Sequence, residues 1–326
     1  MKGAMEMSTI QQPLGFGYEG IRCFCRMPIC FELNKLEADV AVVGICFDTA
    51  NYDRCGSRYG PQAIREASME LGITYHPQNG FYDSEQRKHI LSGVRIVDCG
   101  DVTVFPTLLH QTFDGITQSI KTIRARGAVP VVLGGEHTIS FPVLRGFDDI
   151  PLHIVQFDSH LDLMDDIAGL KYTDSNPMKR AIEMDNITGL TQIGIRGYLN
   201  PVELWEETKN EKVTTFTAQD VRKRGLEFIA SQIPQRENIY VTIDMDALDP
   251  SEAPGVGAQE PGGLSYLQMR TLLRACAQKG KLAGMDVNEV NPLFDPTGKT
   301  ANVAVYMILD LLGAATLATG KAGESS

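Results

Sequence analysis

Apolar residues in this chain fall into short continuous runs that alternate with amphipathic stretches. Residues 39–45 form the first run, a pattern typical of a strand that is covered on both faces. Pro61 then stands near the first turn of a predicted helix over residues 61–67. Further runs predict strands at residues 94–98, 129–133, 152–158, 192–195, 213–216, 239–244 and 282–287. Helices are predicted at residues 113–126, 141–145, 201–208, 220–232, 266–278 and 301–318.

This alternation of strand and helix predicts parallel strands joined by right-handed crossovers. The expected fold class is therefore α/β: one doubly wound domain whose mostly parallel, eight-stranded sheet is flanked by helices. Residues 1–37 lack a regular pattern and are interpreted as an N-terminal arm. Residues 38–319 form the predicted domain, and residues 320–326 a loose tail.

The charge balance narrows the classes of partner. The 326 residues include 30 basic and 41 acidic side chains, so the formal net charge is −11. This balance argues against nucleic acid or an anionic membrane as a partner and favours a cationic substrate. No apolar run reaches the roughly 18 residues needed to cross a bilayer, and the N-terminus lacks the pattern of a signal peptide. We therefore expect a soluble cytoplasmic protein.

Candidate chemistry collects where the predicted strands end. In open parallel sheets, ligands bind outside the carboxyl ends of the strands. Four strands are followed by acidic or imidazole side chains, at residues 134–137 (Gly-Gly-Glu-His), 158–162 (Asp-Ser-His-Leu-Asp), 244–250 (Asp-Met-Asp-Ala-Leu-Asp-Pro) and 288–292 (Asn-Glu-Val-Asn-Pro). Carboxylates gathered at one edge repel one another unless a cation lies among them. The mixed oxygen and nitrogen ligands suit a divalent metal, and their number suggests two ions that share bridging carboxylates.

Each of these pieces has a simpler interpretation when it stands alone. An Asp-x-Asp pair after a strand is common as a turn or a helix cap, and Gly134-Gly135 alone is only a tight turn. His153 lies inside a predicted strand and is more simply a core histidine. The histidines in polar, loop-like settings are most simply surface residues: His76, His89 and His110. It is the coincidence of three motifs at three strand ends that favours a metal site.

Together, the motifs at residues 134–137, 158–162 and 244–250 resemble the metal signatures of the ureohydrolases, the arginase/agmatinase family. The resemblance extends from about residue 39 to about residue 312 and includes residues 56–61, 97–101 and 260–264. It implies an arginase-like fold, an amidinohydrolase activity and a trimeric or hexameric assembly, homo- or hetero-oligomeric. A guanidine- or biguanide-hydrolysing member, with metformin as one such biguanide, is among the interpretations.

The resemblance also implies two divalent metal ions per chain, usually Mn²⁺ in this family and Ni²⁺ in some guanidine-hydrolysing members. The ligands of the first ion would be His137, Asp158, Asp162 and Asp244. The ligands of the second would be Asp158, His160, Asp244 and Asp246, so that Asp158 and Asp244 bridge. Glu289 matches the glutamate that pairs with the substrate guanidinium, whose forked N–H donors suit a carboxylate.

The implied mechanism is hydrolysis by a metal-bridging hydroxide that attacks the guanidino carbon. The metals and Asp162 would stabilise the tetrahedral intermediate before a C–N bond breaks and the leaving amine takes a proton. Family members commonly place a histidine in the loop after the second motif, whereas Asp174 stands there in this chain. This exchange removes a group that can shuttle protons near pH 7. Either a carboxylate takes over that role, or the leaving group needs no help, or the chain is poorly active by itself. We therefore count Asp174, Asp162 and Glu289 as candidate catalytic residues.

The substrate pocket is where this chain departs further from the family pattern. Residues 255–259 replace the threonine and proline that relatives often carry. The loop after the second motif is rich in acidic residues: Asp165, Asp166 and Asp174. Lys171 is the only obvious basic side chain in that loop. We hypothesise a cationic or neutral distal end of the substrate, which favours agmatine, free or substituted guanidine and biguanides over arginine or 4-guanidinobutyrate. The simpler alternative is that these aspartates form a solvated loop face.

Two other classes stay open at this point. A non-catalytic subunit of a hetero-oligomeric ureohydrolase, weakly active alone, would use the same fold for assembly; the replaced histidine favours it, and the intact ligand set argues against it. A metal-dependent deacetylase on a related fold would be expected to bind one zinc ion rather than two metals.

Overall fold

The computed structural model describes residues 19–51 and 53–318 of the chain. Ten strands lie in this part of the chain, in two sheets. They are β1 (Val40–Gly44), β2 (Phe81–Asp83), β3 (Lys88–Ile90), β4 (Ile96–Asp101), β5 (Val129–Leu133), β6 (Leu152–Phe157), β7 (Ile187–Ile195), β8 (Val213–Thr217), β9 (Asn238–Asp244) and β10 (Lys281–Asn288). Eight of them form the central sheet in the order β4-β1-β5-β10-β9-β6-β7-β8, and every neighbouring pair is parallel. The predicted fold class is confirmed.

Helices connect most of these strands. They are α1 (Gly60–Ser68), α2 (Leu109–Ala125), α3 (Ser140–Leu144), α4 (Pro177–Ile182), α5 (Val202–Glu207), α6 (Ala218–Arg224), α7 (Leu226–Gln232), α8 (Tyr266–Cys276) and α9 (Lys299–Ala318). The prediction of one helix over residues 220–232 is wrong, because Gly225 takes a positive φ of 84° and divides it into α6 and α7. Neither α4 nor the antiparallel hairpin of β2 and β3 was predicted, since both are too short to produce a clear hydrophobic period.

Both faces of the central sheet are covered. Alternate residues of each strand point to opposite faces, so Val40 and Val42 pack in one apolar cluster while Ala41 and Val43 pack in another. Residues of α1, α8 and α9 complete the first cluster, and residues of α2, α3 and α4 complete the second. Cover on both sides explains why the strands read as continuous apolar runs.

The described part of the predicted N-terminal arm packs against the domain. Phe24 is fully buried, and its backbone N–H donates to Asp98 Oδ2 at 2.7 Å. Asp98 also receives the guanidinium of Arg65 at 2.9 Å, and Ile29 forms a parallel bridge with Asp98. These contacts tie the segment to β4. Residues 1–18 of the arm and the predicted tail at 320–326 lie outside the described residues.

The strand order also determines where the candidate chemistry lies. Strands β5, β10, β9 and β6 are consecutive neighbours in the sheet, and all four run in the same direction. Their carboxyl ends therefore meet at one edge, and each of the four sequence motifs begins on the last residue of its strand or directly after it. Within the described residues, no helix combines the length and apolar character needed to span a bilayer.

Candidate metal centre

The turn after β5 requires two glycines. A Cβ atom on Gly134 would come within 2.0 Å of Asn288 Oδ1, and one on Gly135 would come within 1.9 Å of the Phe47 carbonyl oxygen. Close packing between the loops after β1 and β10 therefore excludes any side chain at these positions. The chain leaves the turn in a short 3₁₀-helix, His137–Ile139, which brings the buried His137 imidazole over the sheet edge.

The first group of candidate ligands is His137, Asp158 and Asp162, which we call the buried group. One ligand atom of each residue lies within 4.8 Å of the others, and all three residues are buried. His137 Nδ1 is 3.0 Å from Asp158 Oδ2, 2.9 Å from Asp162 Oδ2 and 3.5 Å from Asp244 Oδ2. Three of the six predicted metal ligands therefore converge on the imidazole nitrogen of a fourth.

The second group is Asp158, His160 and Asp246, which we call the open group because the His160 side chain is 16% exposed. His160 Nδ1 lies 3.0 Å from Asp246 Oδ2 and 3.6 Å from Asp158 Oδ1. Asp158 belongs to both groups and turns one carboxylate oxygen towards each, which is the geometry of a bridging ligand. The bridging role of Asp244 stays a prediction; its Oδ1 accepts a hydrogen bond from the Asp246 N–H at 2.9 Å.

The buried group has the properties of a cation site. His137 Nδ1 and Asp162 Oδ2 lie 2.9 Å apart, yet neither atom makes a hydrogen bond of good geometry, and such burial is costly unless an ion satisfies them. Burial and the negative charge of Asp158 raise the pKa of Asp162 to about 7. Burial, Asp246 and Asp158 likewise raise the pKa of Asp244 well above its usual range. A divalent cation would relieve this repulsion and the mixed N/O ligand set suits one, so the residues fit the implied metal.

A buried hydrogen-bond chain determines which nitrogen of His137 faces the carboxylates. His137 Nε2 lies 2.8 Å from Thr242 Oγ1, and the Thr242 hydroxyl donates to Asp286 Oδ1 at 2.5 Å. Asp286 also accepts from the Tyr240 hydroxyl at 2.7 Å and from Asn288 Nδ2 at 2.7 Å. Since the threonine hydroxyl gives its proton to Asp286, it accepts from His137 Nε2–H. The Nδ1 lone pair is therefore free for a metal.

Two site residues adopt left-handed backbone conformations. Asp162 has φ 54° and Glu289 has φ 64°, which is uncommon for residues other than glycine. The Glu289 N–H donates to the Gly135 carbonyl at 2.8 Å, and Glu289 Oε1 accepts from the His137 N–H at 2.8 Å. Reciprocal bonds thus tie Glu289 to the loop that carries His137. Backbone strain of this kind persists only where surrounding contacts enforce it, and it is frequent at functional sites.

A cavity of about 320 Å³ opens above the two groups. It is lined by Asn51, His160, Asp162, Met164, Asp174, Ser175, Tyr198, Leu199, Asn200, Pro201, Leu204, Asp244, Asp246, Val256, Ala258 and Glu289. Among these described residues there is no lysine or arginine. The loop at residues 255–259 contributes Val256 and Ala258, as its sequence suggested.

The three aspartates of the loop after β6 have different surroundings. Asp174 lines the cavity, and burial raises its pKa to about 6. Asp165 is exposed and pairs with Arg180 at 2.5 Å. Asp166 is also exposed and accepts from the Gly169 N–H at 2.8 Å. Of the three aspartates only Asp174 lines the cavity, so a role towards the substrate stays a prediction for Asp174 alone, and the alternative of a solvated loop face is confirmed for the other two.

Two residues near the site were given no individual role by the sequence. Asn200 lines the cavity, accepts from the Leu161 N–H at 2.9 Å and donates to the Ser159 carbonyl at 3.0 Å, so it fixes the loop that carries His160. Its position after the strand β7 was the one available signal. Glu136 is fully buried with Oε2 unpartnered, and burial raises its pKa to about 8.

The histidines outside the site behave as their patterns indicated. His153 is buried in β6, with Nε2 2.9 Å from Thr191 Oγ1. The other three are exposed: His76, His89 and His110.

Comparison with known proteins identifies the family. The model of the arginase family matches residues 38–313 of this chain. The mitochondrial guanidino acid hydrolase of Homo sapiens is 30% identical over 300 residues, which cover 90% of this chain and 82% of that protein. The mitochondrial agmatinase of Gallus gallus is 30% identical over 301 residues, which cover 90% of this chain and 85% of that protein. The structure of proclavaminate amidinohydrolase from Streptomyces clavuligerus is 30% identical with a TM-score of 0.80, covering 93% of this chain and all of that one.

The fold and these matches define the class as that of the ureohydrolases, hydrolases of C–N bonds in linear amidines. The chain belongs to the arginase family. Family membership favours the ureohydrolase interpretation over that of a deacetylase on a related fold.

Proposed function

We propose that this chain cleaves a C–N bond of a small cationic guanidino compound with the aid of two divalent metal ions. The observation that carries the proposal is the pair of ligand groups sharing Asp158 beneath a cavity whose charged lining is acidic apart from His160. The first ion would be held by the buried group with Asp244, and the second by the open group with Asp244. Mn²⁺ is favoured by family membership, and Ni²⁺ is the alternative because mixed N/O ligation accepts either ion.

When bound, the two ions supply Lewis acidity and a hydroxide nucleophile near neutral pH. The residues of the chain bind and orient the substrate around that nucleophile. Glu289 has one carboxylate oxygen bonded to the His137 N–H, and the other is left to pair with the guanidinium. Asp162 lines the cavity beside the proposed ions and would help to stabilise the tetrahedral intermediate as it forms.

Asp174 is the proposed proton carrier. It stands where family members commonly have a histidine, and it lines the same cavity as Asp162 and Glu289. Burial alone would protonate part of it at neutral pH, but nearby divalent cations lower the pKa of a carboxyl group. In the metal-loaded protein Asp174 is therefore a carboxylate that can accept a proton and deliver it to the leaving amine.

The proposed substrate lacks a distal carboxylate. A cationic side chain is the strongest partner for the carboxylate of a guanidino acid, and no lysine or arginine lines the described cavity. Relatives include both a guanidino acid hydrolase and an agmatinase, so the family alone does not select the substrate. We propose agmatine, guanidine, substituted guanidines and biguanides as the substrate class.

Turnover of a substrate panel tests this proposal. The apo-protein is reloaded with Mn²⁺ or Ni²⁺, and urea or amine release is measured with agmatine, guanidine, methylguanidine and metformin against arginine and 4-guanidinobutyrate. The compound with the highest kcat/KM is expected to be one of the four that lack a carboxylate. A preference for 4-guanidinobutyrate or arginine would refute the substrate class. The Glu289→Gln variant should be inactive, while Asp165→Asn, which removes an exposed carboxylate outside the cavity, should resemble the wild type.

A second candidate function is that of an assembly subunit in a hetero-oligomeric ureohydrolase. The aspartate at position 174 favours it, because it removes the histidine common in the family. The chain would then bind metal and assemble as a trimer or hexamer but turn over none of the panel by itself. Light scattering of the purified chain, alone and mixed with an active homologue, distinguishes this role from that of an independent enzyme.

A further inference from the structure

A row of polar side chains crosses five neighbouring strands at one level of the sheet, just below the metal ligands. Backbone register aligns Gln192 of β7 with Thr215 of β8 and with Gln156 of β6. Gln156 is in turn aligned with Thr242 of β9, and Thr242 with Asp286 of β10. We call these five residues the polar row. Four of them are fully buried, and Thr215 is half-buried.

One arm of the polar row ends on the shared ligand Asp158. Gln156 lies in β6 and Asp158 follows the strand directly, two positions further on, so their side chains point to the same side. Gln156 Nε2 donates to Asp158 Oδ2 at 2.7 Å. Gln192 Nε2 donates to Gln156 Oε1 at 2.7 Å and to the Leu161 carbonyl at 2.7 Å. The Thr215 hydroxyl donates to Gln192 Oε1 at 2.9 Å.

The direction of this arm is fixed by chemistry. An ionised Asp158 can only accept, so Gln156 must present its nitrogen to it and turn its oxygen towards Gln192. The Gln192 nitrogen must then face that oxygen, which leaves the Gln192 oxygen for the hydroxyl of Thr215. Each amide nitrogen therefore serves only as a donor and each amide oxygen only as an acceptor. Flipping either amide would set two donors or two acceptors against each other.

We propose that Gln156 and Gln192 are positioning residues that hold the shared carboxylate of Asp158 in its bridging orientation. A carboxylate that serves two ions must keep its plane fixed, and hydrogen bonds to metal ligands from outside commonly provide this. Gln192 also holds the Leu161 carbonyl, one residue before the ligand Asp162. The inference rests on the proposed two-metal function.

The alternative is that the two glutamines are ordinary core residues whose polar groups happen to be satisfied. Such residues would support folding but leave the metal affinity unchanged when replaced by apolar side chains of similar volume. The two accounts therefore differ in a property of the metal site and not only in stability.

The test is Mn²⁺ binding to apo-protein, followed by the six-line EPR signal of free Mn²⁺, together with kcat and KM at saturating metal. Gln192→Met removes the donors without touching a ligand and should weaken Mn²⁺ binding by about 10–100-fold. At saturating metal kcat should fall while KM stays constant, because Asp158 does not line the substrate cavity. Gln192→Glu keeps size and polarity but cannot donate, so it should be at least as impaired as Gln192→Met.

Thr191→Val is the matched control, since Thr191 lies beside Gln192 on β7, faces the other side of the sheet and contacts His153. It should bind Mn²⁺ as the wild type does. Thr215→Val, at a half-buried position, removes only the far end of the arm and should weaken binding about threefold.

Wild-type affinity in Gln192→Met, or an equal loss in Thr191→Val, would overturn the positioning role. A wild-type chain that binds no divalent ion would overturn both this inference and the proposed function, whereas ion binding without turnover would overturn only the latter.

Discussion

The two halves of the proposed metal centre use the same residue types in different surroundings. In the buried group the His137 side chain is 1% exposed, whereas in the open group the His160 side chain is 16% exposed and lines the cavity. The Nε2 of His137 is held by Thr242 and Asp286, whereas the Nε2 of His160 lies 3.4 Å from the hydroxyl of its own neighbour Ser159. The buried half is therefore built for retention of an ion, and the open half for access by solvent and substrate.

The largest expected effect comes from the ligand that the two halves share. Asp158→Asn should remove both ions and lower kcat/KM by at least about a thousandfold, because metal ions contribute several kcal/mol to such reactions. Metal content by mass spectrometry and turnover of the substrate panel check this. Asp166→Asn, an exposed carboxylate of the neighbouring loop, should leave both unchanged. A variant that retained two ions would show that Asp158 does not bridge.

Removing one histidine at a time sharpens the comparison between the halves. His160→Ala should leave one ion per chain, and that ion should resist chelation, because the buried group remains complete. His137→Ala should leave a single ion that is readily removed. Both variants should lose roughly a hundredfold to a thousandfold in kcat/KM, since each removes one of two cooperating ions. The measurement is the number of ions per chain against time in EDTA, followed alongside the wild type.

In the wild type the same experiment should show two phases of release. The ion of the open group should leave first, and activity should be lost with it. Release of both ions in a single phase, or faster release from His160→Ala than from His137→Ala, would contradict the assignment of retention to the buried half.

Much of this centre could be predicted from the sequence because its side chains stand at or just after the ends of their strands. Asp158, Asp244 and Glu289 lie within one or two residues of the ends of β6, β9 and β10, and the parallel arrangement alone brings such ends to one edge. Local order in the chain was thus enough to find these side chains. The sheet order then placed the four relevant strands side by side.

What could not be predicted depends on register between distant strands. Gln156, Gln192 and Thr242 are separated by up to 86 residues and become neighbours only through strand pairing. The different surroundings of Asp165 and Asp174 were equally hidden, because Asp165 pairs with Arg180 of the unpredicted helix α4 whereas Asp174 lines the cavity. Hydrophobic periodicity reports which face of an element is buried, but it does not report the alignment of polar side chains across a sheet.

Substitution of Asp174 tests the role of the cavity that lies above the two ligand groups. Asp174→Asn should lower kcat by about a hundredfold, since general acid–base groups typically contribute 10²–10⁴-fold, and should leave both ions bound. Asp174→His restores the residue common in the family and should retain more activity than Asp174→Asn. Turnover together with metal content checks the prediction, and Asp165→Asn is the control within the same loop. Loss of an ion from Asp174→Asn would mean that this carboxylate belongs to the metal site.

The smallest expected effect is the contribution of His153 to the pH dependence of stability. This residue also serves as a reference, because its imidazole is buried away from carboxylates. Burial, aided by Arg236, lowers the pKa of His153 to about 4. Its folded-state pKa lies below the ordinary value of about 6.5, so the unfolded chain binds the extra proton first and stability falls as the pH drops from about 6.5 towards 4. From this residue we expect a loss of about 2 kcal/mol between pH 7 and pH 5.

Denaturant unfolding of the metal-free protein at both pH values, compared with His153→Gln, isolates this contribution. The variant should lose about 2 kcal/mol less than the wild type between pH 7 and pH 5, while the exposed His89→Gln should match the wild type. Identical pH dependence in wild type and His153→Gln would show that water or a charge reaches this histidine. Burial would then not be enough to keep an imidazole neutral in this sheet, and the contrast between the buried and the open halves of the metal centre would need another cause.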